Sequence, residues 1–409
     1  MAVYDMDDAL STARSRHTAT STTPKQPTNP TTDSTSRYDR PIAAAQEDGL
    51  PIIDISSFLD PNSSTSDRQT TAQAINAACV NYGFFYLTGH GIPTAKLDEI
   101  IDLARRFFAL PLDRKNQIKR FDAGGPEGGD SARGYQGLGE NVTGGLQDMQ
   151  EAIDLYRPWN GVEEEGDGGP GTRKTLQGPN LWPDEPAELR GVYEAYIKQV
   201  TEVGRALVRA MGAALNLGPA QPNAQRDAED EDVFARHCDE SFWVMRMINY
   251  PPLPPSAQSA HADAQQQDPN QFSCGAHTDY GCVTLLLADP TPGALQVQLK
   301  DGTWLPADPV PGAFVVNVGD MIERWTNGLW KSTMHRVIHR GDGGVHGIGG
   351  GGRVSVPFFF EPNFDALVKP LGKCVAESGT PRIHEGSTYG EHLLTKVFSN
   401  FYYSKRTDW

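Results

Sequence analysis

No uninterrupted apolar run approaches the roughly 20 residues that a membrane helix needs, so no spanning helix is expected. Basic residues are scarce. The 36 Lys and Arg stand against 52 Asp and Glu, a formal charge of −16. An acidic surface repels phosphate backbones and anionic lipid, which argues against nucleic acid or membrane as a partner. Cysteine is sparse as well. The five (Cys79, Cys238, Cys274, Cys282, Cys374) are odd in number, scattered and without a CxxC pair. That pattern argues against a disulfide framework or a cysteine zinc site. It suits thiols packed as small apolar groups in a reducing compartment, and a cytoplasmic location is expected. No GxGxxG follows a strand and opens a helix, so nothing points to a nucleotide fold. The N-terminus carries Asp5, Asp7 and Asp8 and lacks the apolar core of a secretory signal.

What is present is a chain of 409 residues, ample for a large core, with 38% apolar and 22% charged residues. Residues 1–46 are rich in Ser, Thr, Pro and Asn and are expected to form a disordered tail, because they bury too little to offset their ordering entropy. Residues 47–235 read as an α-rich region. Ala74, Ile75 and Ala78 mark one apolar stripe. Leu97, Ile100, Ile101, Ala104, Phe107 and Phe108 mark another, with Thr94 as its N-cap. A long helix is expected from about Glu185 to Leu217, burying Leu189, Val192, Tyr193, Tyr196, Val200, Val203, Leu207 and Met211. Between the first two helices, YGFFYLTGHGIP (Tyr82 to Pro93) is aromatic and β-prone, and His90 in its turn is expected to satisfy backbone groups. The Gly- and acid-rich stretches 121–150 and 159–180 read as surface loops.

Residues 236–409 change to a β texture. FWVMRMINY, VTLLLAD, LQVQL, AFVVNVGD, TMHRVIH and RVSVPFFFEP are short runs separated by Gly, Pro, Asp and Asn. Such spacing predicts a barrel or sandwich rather than βαβ units. Polar and Gly-rich insertions interrupt it at 256–271 and 341–352. Asn327 and Gly328 read as a strand-connecting turn, and Glu323 and Arg324 as a pair near the site.

Within these runs, His277 and Asp279 in GAHTDYG are separated by one residue and share one face of a strand. His335, on another expected strand, can complete a three-ligand face. Two imidazoles and a carboxylate on one face leave three positions of an octahedral metal open, the pattern of non-haem iron(II) oxygenases. An HxD pair alone is weak, and the third His strengthens it. Arg353 and Ser355 repeat the one-residue spacing in RVSVPFFFEP. A buried Arg needs an anionic partner, either a ligand carboxylate or a protein acid.

Four motifs carry a resemblance: YGFFYLTGHGIP, NYPP, HTDYG…TLL, and GDMIERWTNGLWKSTMHRV…RVSVPFF. Occurring together in this order, they make the chain resemble the isopenicillin-N-synthase-like superfamily of 2-oxoglutarate/Fe(II) dioxygenases. The resemblance implies a mixed α/β protein with a predominantly β core, a double-stranded β-helix or jelly roll flanked by N-terminal helices. It implies iron on His277, Asp279 and His335, and 2-oxoglutarate bound by Arg353, Ser355 and the Tyr250 hydroxyl. Alternation along FWVMRMINY puts Arg246 on the face of Tyr250, as a substrate contact or, more plainly, the partner of an acid. The same alternation turns Phe359 inward, as a pocket wall or an ordinary core residue.

The implied reaction consumes 2-oxoglutarate and O2, releases succinate and CO2, and oxidises a small molecule. Hydroxylation is the default, with desaturation, ring closure or demethylation set by substrate placement. Two other readings stand beside it: a 2-oxoglutarate-independent oxidase or cyclase of the same superfamily, and a catalytically silent binding protein on a jelly-roll scaffold. A monomer is expected. The HTDYG and KSTMHRV flavour resembles a widespread group that includes pyrimidine-oxidising members.

Overall fold

A computed structural model describes residues 49–120, 132–143, 146–158, 176, 178–251, 272–338 and 352–397. The tail at 1–46 and the insertion at 256–271 lie outside the described residues, as does 341–352 apart from Gly352. The strands in chain order begin with β1 (Ile52–Asp54), β2 (Phe84–Thr88), β3 (Gly134–Gln136), β4 (Val142–Thr143), β5 (Leu146–Gln147) and β6 (Glu151–Tyr156). They continue with β7 (Val244–Tyr250), β8 (Phe272–His277), β9 (Val283–Ala288) and β10 (Leu295–Gln298). Next come β11 (Trp304–Pro306), β12 (Phe314–Val318), β13 (His335–Ile338) and β14 (Arg353–Phe360), and the short pair β15 (Leu367–Val368) and β16 (Ser387–Thr388) follows.

Eight of these form one sheet in the order β1-β2-β12-β9-β14-β7-β6-β3, and four form a second in the order β11-β10-β13-β8. Apart from the β1–β2 pair, the ladders are antiparallel. The two sheets face each other across an apolar layer. Phe84, Tyr86, Ile248 and Val315 come from the large sheet, and Leu295, Val297 and Val337 from the small one. This is the jelly roll. Helices cover the opposite face of the large sheet, where Phe107, Tyr193, Leu207 and Met211 pack with Leu285, Val316, Phe358 and Phe360.

The helices form where the apolar period says they should, with local differences. In Thr94–Phe108 the whole expected stripe is buried. Its cap is Pro93 instead of Thr94, because the Pro93 carbonyl already accepts from Lys96 and Leu97 and leaves Thr94 as the first helical residue. In Thr65–Asn81, Ser64 caps the Asp67 N–H, and Asp67 accepts from the Ser64 hydroxyl in return. Ala72, Ile75, Ala78 and Cys79 form the buried face, and Ala74 is exposed, one position off that stripe. The long helix spans Leu189–Ala214, shorter at both ends than expected, and buries the predicted face, with Val192 half-buried. His90 bonds the Gly312 carbonyl at 2.9 Å and takes the Ile92 N–H, the backbone role expected of it.

Two expectations are corrected. The segment 121–150 is not a surface loop where it is described. Its β3 and the residues on either side bury Arg133, Tyr135, Gln136, Asn141, Asp148 and Gln150. Glycine there serves close backbone approach. Gly134 has a φ of +112°, and a side chain on it would meet the Ile118 carbonyl at 2.5 Å. Asn327 and Gly328 do not join strands. They end the helix Asp320–Trp325 with positive φ, and Asn327 Nδ2 donates to Ser378 Oγ at 2.9 Å.

The helix Leu189–Ala214 offers a paired test of packing. A methyl group at Gly191 meets nothing within 4 Å, whereas at Gly212 it meets the Glu231 carbonyl oxygen at 1.9 Å. Gly191→Ala is expected to stabilise by about 0.5–1 kcal/mol through helix propensity. Gly212→Ala is expected to destabilise by about 1–3 kcal/mol through overpacking. Chemical denaturation of both variants reads the opposite signs.

Candidate metal centre

The antiparallel register of β13 on β8 sets His335 directly opposite His277, with ring centroids 4.3 Å apart. Each ring uses Nδ1 on a backbone carbonyl two residues before it. His277 Nδ1 donates to the Gly275 carbonyl at 2.7 Å, and His335 Nδ1 to the Thr333 carbonyl at 3.1 Å. In these tautomers Nε2 is the nitrogen left for a metal. Without one, burial is outweighed by Cys274 and Asp279, which raise the His277 pKa to about 10, a proton that a metal on Nε2 must displace. Burial, with the neighbouring His277 ring, lowers the His335 pKa to about 4, so this ring is neutral at pH 7. Phe84 meets it edge-on, centroids 5.3 Å apart.

Asp279 follows β8 and is buried. Its Oδ2 accepts from the Thr284 hydroxyl on β9 and from Asn317 Nδ2 on β12, the latter at 2.7 Å. Oδ1 is left pointing at the two rings, 3.9 Å from His277 Nε2 and 3.8 Å from His335 Nε2. The three free atoms lie within 4.8 Å of one another, and among the described residues no other His/Cys/Asp/Glu group is so arranged. Nitrogen and oxygen donors in this ratio fit iron(II), and the hydrogen-bonded second layer is what a bound metal requires to orient its ligands.

The second feature lies on β14. Arg353 pairs in register with Tyr250 and Ser355 with Ile248, so the three polar side chains face the space between the sheets. Asp289 at the end of β9 fixes this register. It accepts the Val354 N–H at 2.8 Å, returns its own N–H to the Val354 carbonyl, and is held by Arg105 at 2.5 Å. Arg353 is buried, its guanidinium 5.2 Å from the Tyr250 ring centre, and its Nε and Nη1 have no partner. Among the described residues no protein acid pairs with it. The Tyr250 and Ser355 hydroxyls share a hydrogen bond, and burial keeps the phenol protonated by pushing its pKa up. A buried cation beside two hydroxyls, without a protein counter-ion, fits a ligand carboxylate.

A cavity of about 450 Å³ opens over the triad. His277, Asp279, Phe359 and Arg246 line it. Arg353, Ser355 and Tyr250 are not among its lining residues. Arg246 forms the expected ion pair, Nε to Asp154 Oδ1 at 2.6 Å, and still faces the cavity. Cys282 is wholly buried, as expected of a packing residue. Cys274 differs: its sulfur lies 3.7 Å from His277 Nδ1 and reaches the cavity. Glu323 and Arg324 have separate partners, Glu323 bonding Lys331 and the Ser332 N–H and Arg324 bonding Ser387.

Several residues of the site escape a reading of the sequence. Thr284 and Asn317 are polar residues inside the apolar runs VTLLLA and FVVNV, where a buried hydroxyl or amide needs a partner. That was the available signal. Asn141, Thr143, Asp148, Gln150 and Asp154, which form one cavity wall, lie in or beside the stretch taken for a loop.

Comparison with known proteins places the chain in a family. Residues 50–185 match the family described as the N-terminal part of a non-haem dioxygenase in morphine synthesis, and residues 242–362 match the 2OG-Fe(II) oxygenase superfamily. A homoarginine-6-hydroxylase of Arabidopsis thaliana is 38% identical over 361 residues, covering 86% of this chain and 97% of the relative. A 2-oxoglutarate-dependent dioxygenase of Talaromyces stipitatus is 30% identical over 353 residues, covering 85% of this chain and 94% of that one. The crystal structure of a full-length Neurospora crassa protein in complex with alpha-KG and thymine superposes with a TM-score of 0.66 at 25% identity, covering 87% of this chain and 98% of that one.

The second layer makes a quantitative test. Asn317→Leu removes one of the two donors on Asp279 Oδ2, and such losses typically weaken metal binding about 10–100-fold. Titration of the metal-free protein with Fe(II) under nitrogen is expected to show a drop in that range. Unchanged affinity means that the Asn317 bond does not orient Asp279.

Proposed function

The chain belongs to the 2OG-Fe(II) oxygenase superfamily, and from that membership we propose which residues serve each part of its reaction and what it oxidises. It is a 2-oxoglutarate- and Fe(II)-dependent dioxygenase that hydroxylates a small molecule. His277 Nε2, Asp279 Oδ1 and His335 Nε2 hold the iron. The observation that carries this is that these three atoms are the ones left over after their own side chains are hydrogen-bonded. Arg353 and Ser355 take the distal carboxylate of 2-oxoglutarate, with the Tyr250 hydroxyl beside them, supported by the unpartnered Arg353 nitrogens.

Iron, with 2-oxoglutarate and O2, supplies the oxidising power that turns a C–H into a C–OH while succinate and CO2 are released. The protein's own residues do the positioning. Thr284 and Asn317 keep Asp279 turned so that a single oxygen faces the metal. Asp289 holds Arg353 and Ser355 on the inward side of β14. Phe359, Val244 and Tyr156 form an apolar part of the cavity that keeps water from the substrate, which lies beside the metal.

The substrate is a small basic amino acid of the homoarginine kind, bound by a monomer. Four relatives of that name are 37–38% identical and each covers 86% of this chain. The cavity supports it, since Asp148 lines it and accepts only from the Thr143 hydroxyl and the Gly275 N–H, with no salt-bridge partner among the described residues. Among the described residues no helix is long and apolar enough to cross a membrane.

The test is succinate formation by the purified, iron-loaded protein with a panel of basic amino acids, pyrimidines and plant-hormone-like acids. Homoarginine is expected to stimulate 2-oxoglutarate turnover, and stimulation by thymine alone overturns the substrate. His277→Ala is expected to abolish succinate, and retained turnover overturns the metal assignment. Arg353→Leu is expected to raise the KM for 2-oxoglutarate about 30-fold or more, the cost of a charge-assisted bond, without loss of iron.

A further inference from the structure

One wall of the cavity carries charge that the iron and the co-substrate do not use. Asp148, just after β5, is 3% exposed. Its two oxygens accept from neutral donors only, the Thr143 hydroxyl at 2.8 Å and the Gly275 N–H at 3.1 Å. Among the described residues no Lys or Arg lies within ion-pair distance of it. A buried carboxylate with no salt-bridge partner, and only the more distant His277 and Arg246 to favour its charge, is costly, and a protein that keeps one in a cavity wall fits a cationic ligand.

The surroundings add direction. Gln150 and Asn141 line the same cavity, 2% and 4% exposed, and Gln150 Oε1 and Asn141 Nδ2 have no partner. Arg246 commits Nε to Asp154, and its Nη2 is unpartnered. The wall thus offers acceptors from Asp148 and Gln150 and donors from Arg246 and Asn141. Asp148 is also tied to the metal centre. Gly275 donates its N–H to Asp148 and accepts His277 Nδ1 on its carbonyl, so a single residue links this carboxylate to an iron ligand.

We propose that Asp148, helped by Gln150, is the counter-ion of the substrate's guanidinium, and that Arg246, helped by Asn141, anchors its carboxylate. This rests on the basic-amino-acid reading above. Position 6 of homoarginine is the carbon bonded to the guanidino nitrogen. An enzyme that oxidises it must hold the guanidinium beside the metal, where Asp148 stands. A planar guanidinium also matches a carboxylate in a way that an ammonium does not. Asp148 and Arg246 are positioning residues that set specificity.

The experiment uses the full chain with Fe(II) and 2-oxoglutarate, and two probes: homoarginine and homocitrulline, in which a neutral ureido group replaces the guanidinium. Wild type is expected to bind homoarginine at least 30-fold more tightly. Asp148→Asn is expected to raise the homoarginine KM at least 30-fold. It leaves homocitrulline within 3-fold and the KM for 2-oxoglutarate within 2-fold, and Asp148→Glu recovers part of the loss. If Asp148→Asn does not fold, Gln150→Leu is read instead, with a 3- to 10-fold loss for homoarginine alone. Homoarginine used equally well by wild type and Asp148→Asn overturns this assignment and leaves the substrate reading standing. So does an equal loss for both probes. A wild type that ignores homoarginine overturns both.

Discussion

The site depends on one ladder register. β13 lies antiparallel to β8 with His335 opposite His277, and a slip of one residue would turn one imidazole to the other face of the small sheet. The register is held by what lies on either side. β13 also pairs with β10, where Val297 stands opposite His335 and Leu295 opposite Val337, and these apolar residues join the layer between the sheets. Burial of that layer makes the alternative register expensive, at about 1.5–3 kcal/mol for each large apolar side chain exposed. The metal ligands are therefore positioned by hydrophobic pairing a few residues away.

A second constraint acts through polar atoms that cannot be left without partners. At Asp279, Thr284 and Asn317 consume one oxygen and thereby choose the other for the metal. At Arg353, Asp289 does the reverse. It uses the backbone of Val354 to orient β14 and leaves the guanidinium unpaired between the sheets. Fully satisfied groups such as the Lys115–Glu151 pair, with Tyr135 and Asn249 on the same carboxylate, hold the fold together. Asn141, Gln150 and Arg246 on the cavity wall, and Arg353 between the sheets, keep polar atoms without a partner.

Much of this was legible in the residues themselves. Period-two spacing placed Arg353 with Ser355 on β14, while Asp279 meets His277 from beyond the end of β8 and not from its face. The 3.6-residue stripe located the helices Thr94–Phe108 and Leu189–Ala214. Alternation put Arg246 on the side of Tyr250, where it pairs with Asp154. Glycine misled. In 132–150 it signals close backbone approach, as at Gly134, and a propensity reading takes it for a surface loop. Strand β6, EAIDLY, was hidden for another reason. Glu151 and Asp154 are buried with their charges paired to Lys115 and Arg246, and a charge in a short run reads as exposure until its partner is known. Partners 36 and 92 residues away in the chain are not visible from spacing.

The claim on which all of this turns is that three leftover lone pairs meet at one cation. Diffraction from crystals loaded with Mn(II) in place of Fe(II), using the metal's anomalous signal, tests it most directly. The account predicts a single ion bonded to His277 Nε2, Asp279 Oδ1 and His335 Nε2, with Asp279 Oδ2 still on Thr284 and Asn317. An ion held elsewhere, or one that reaches the cavity without His335, would contradict it.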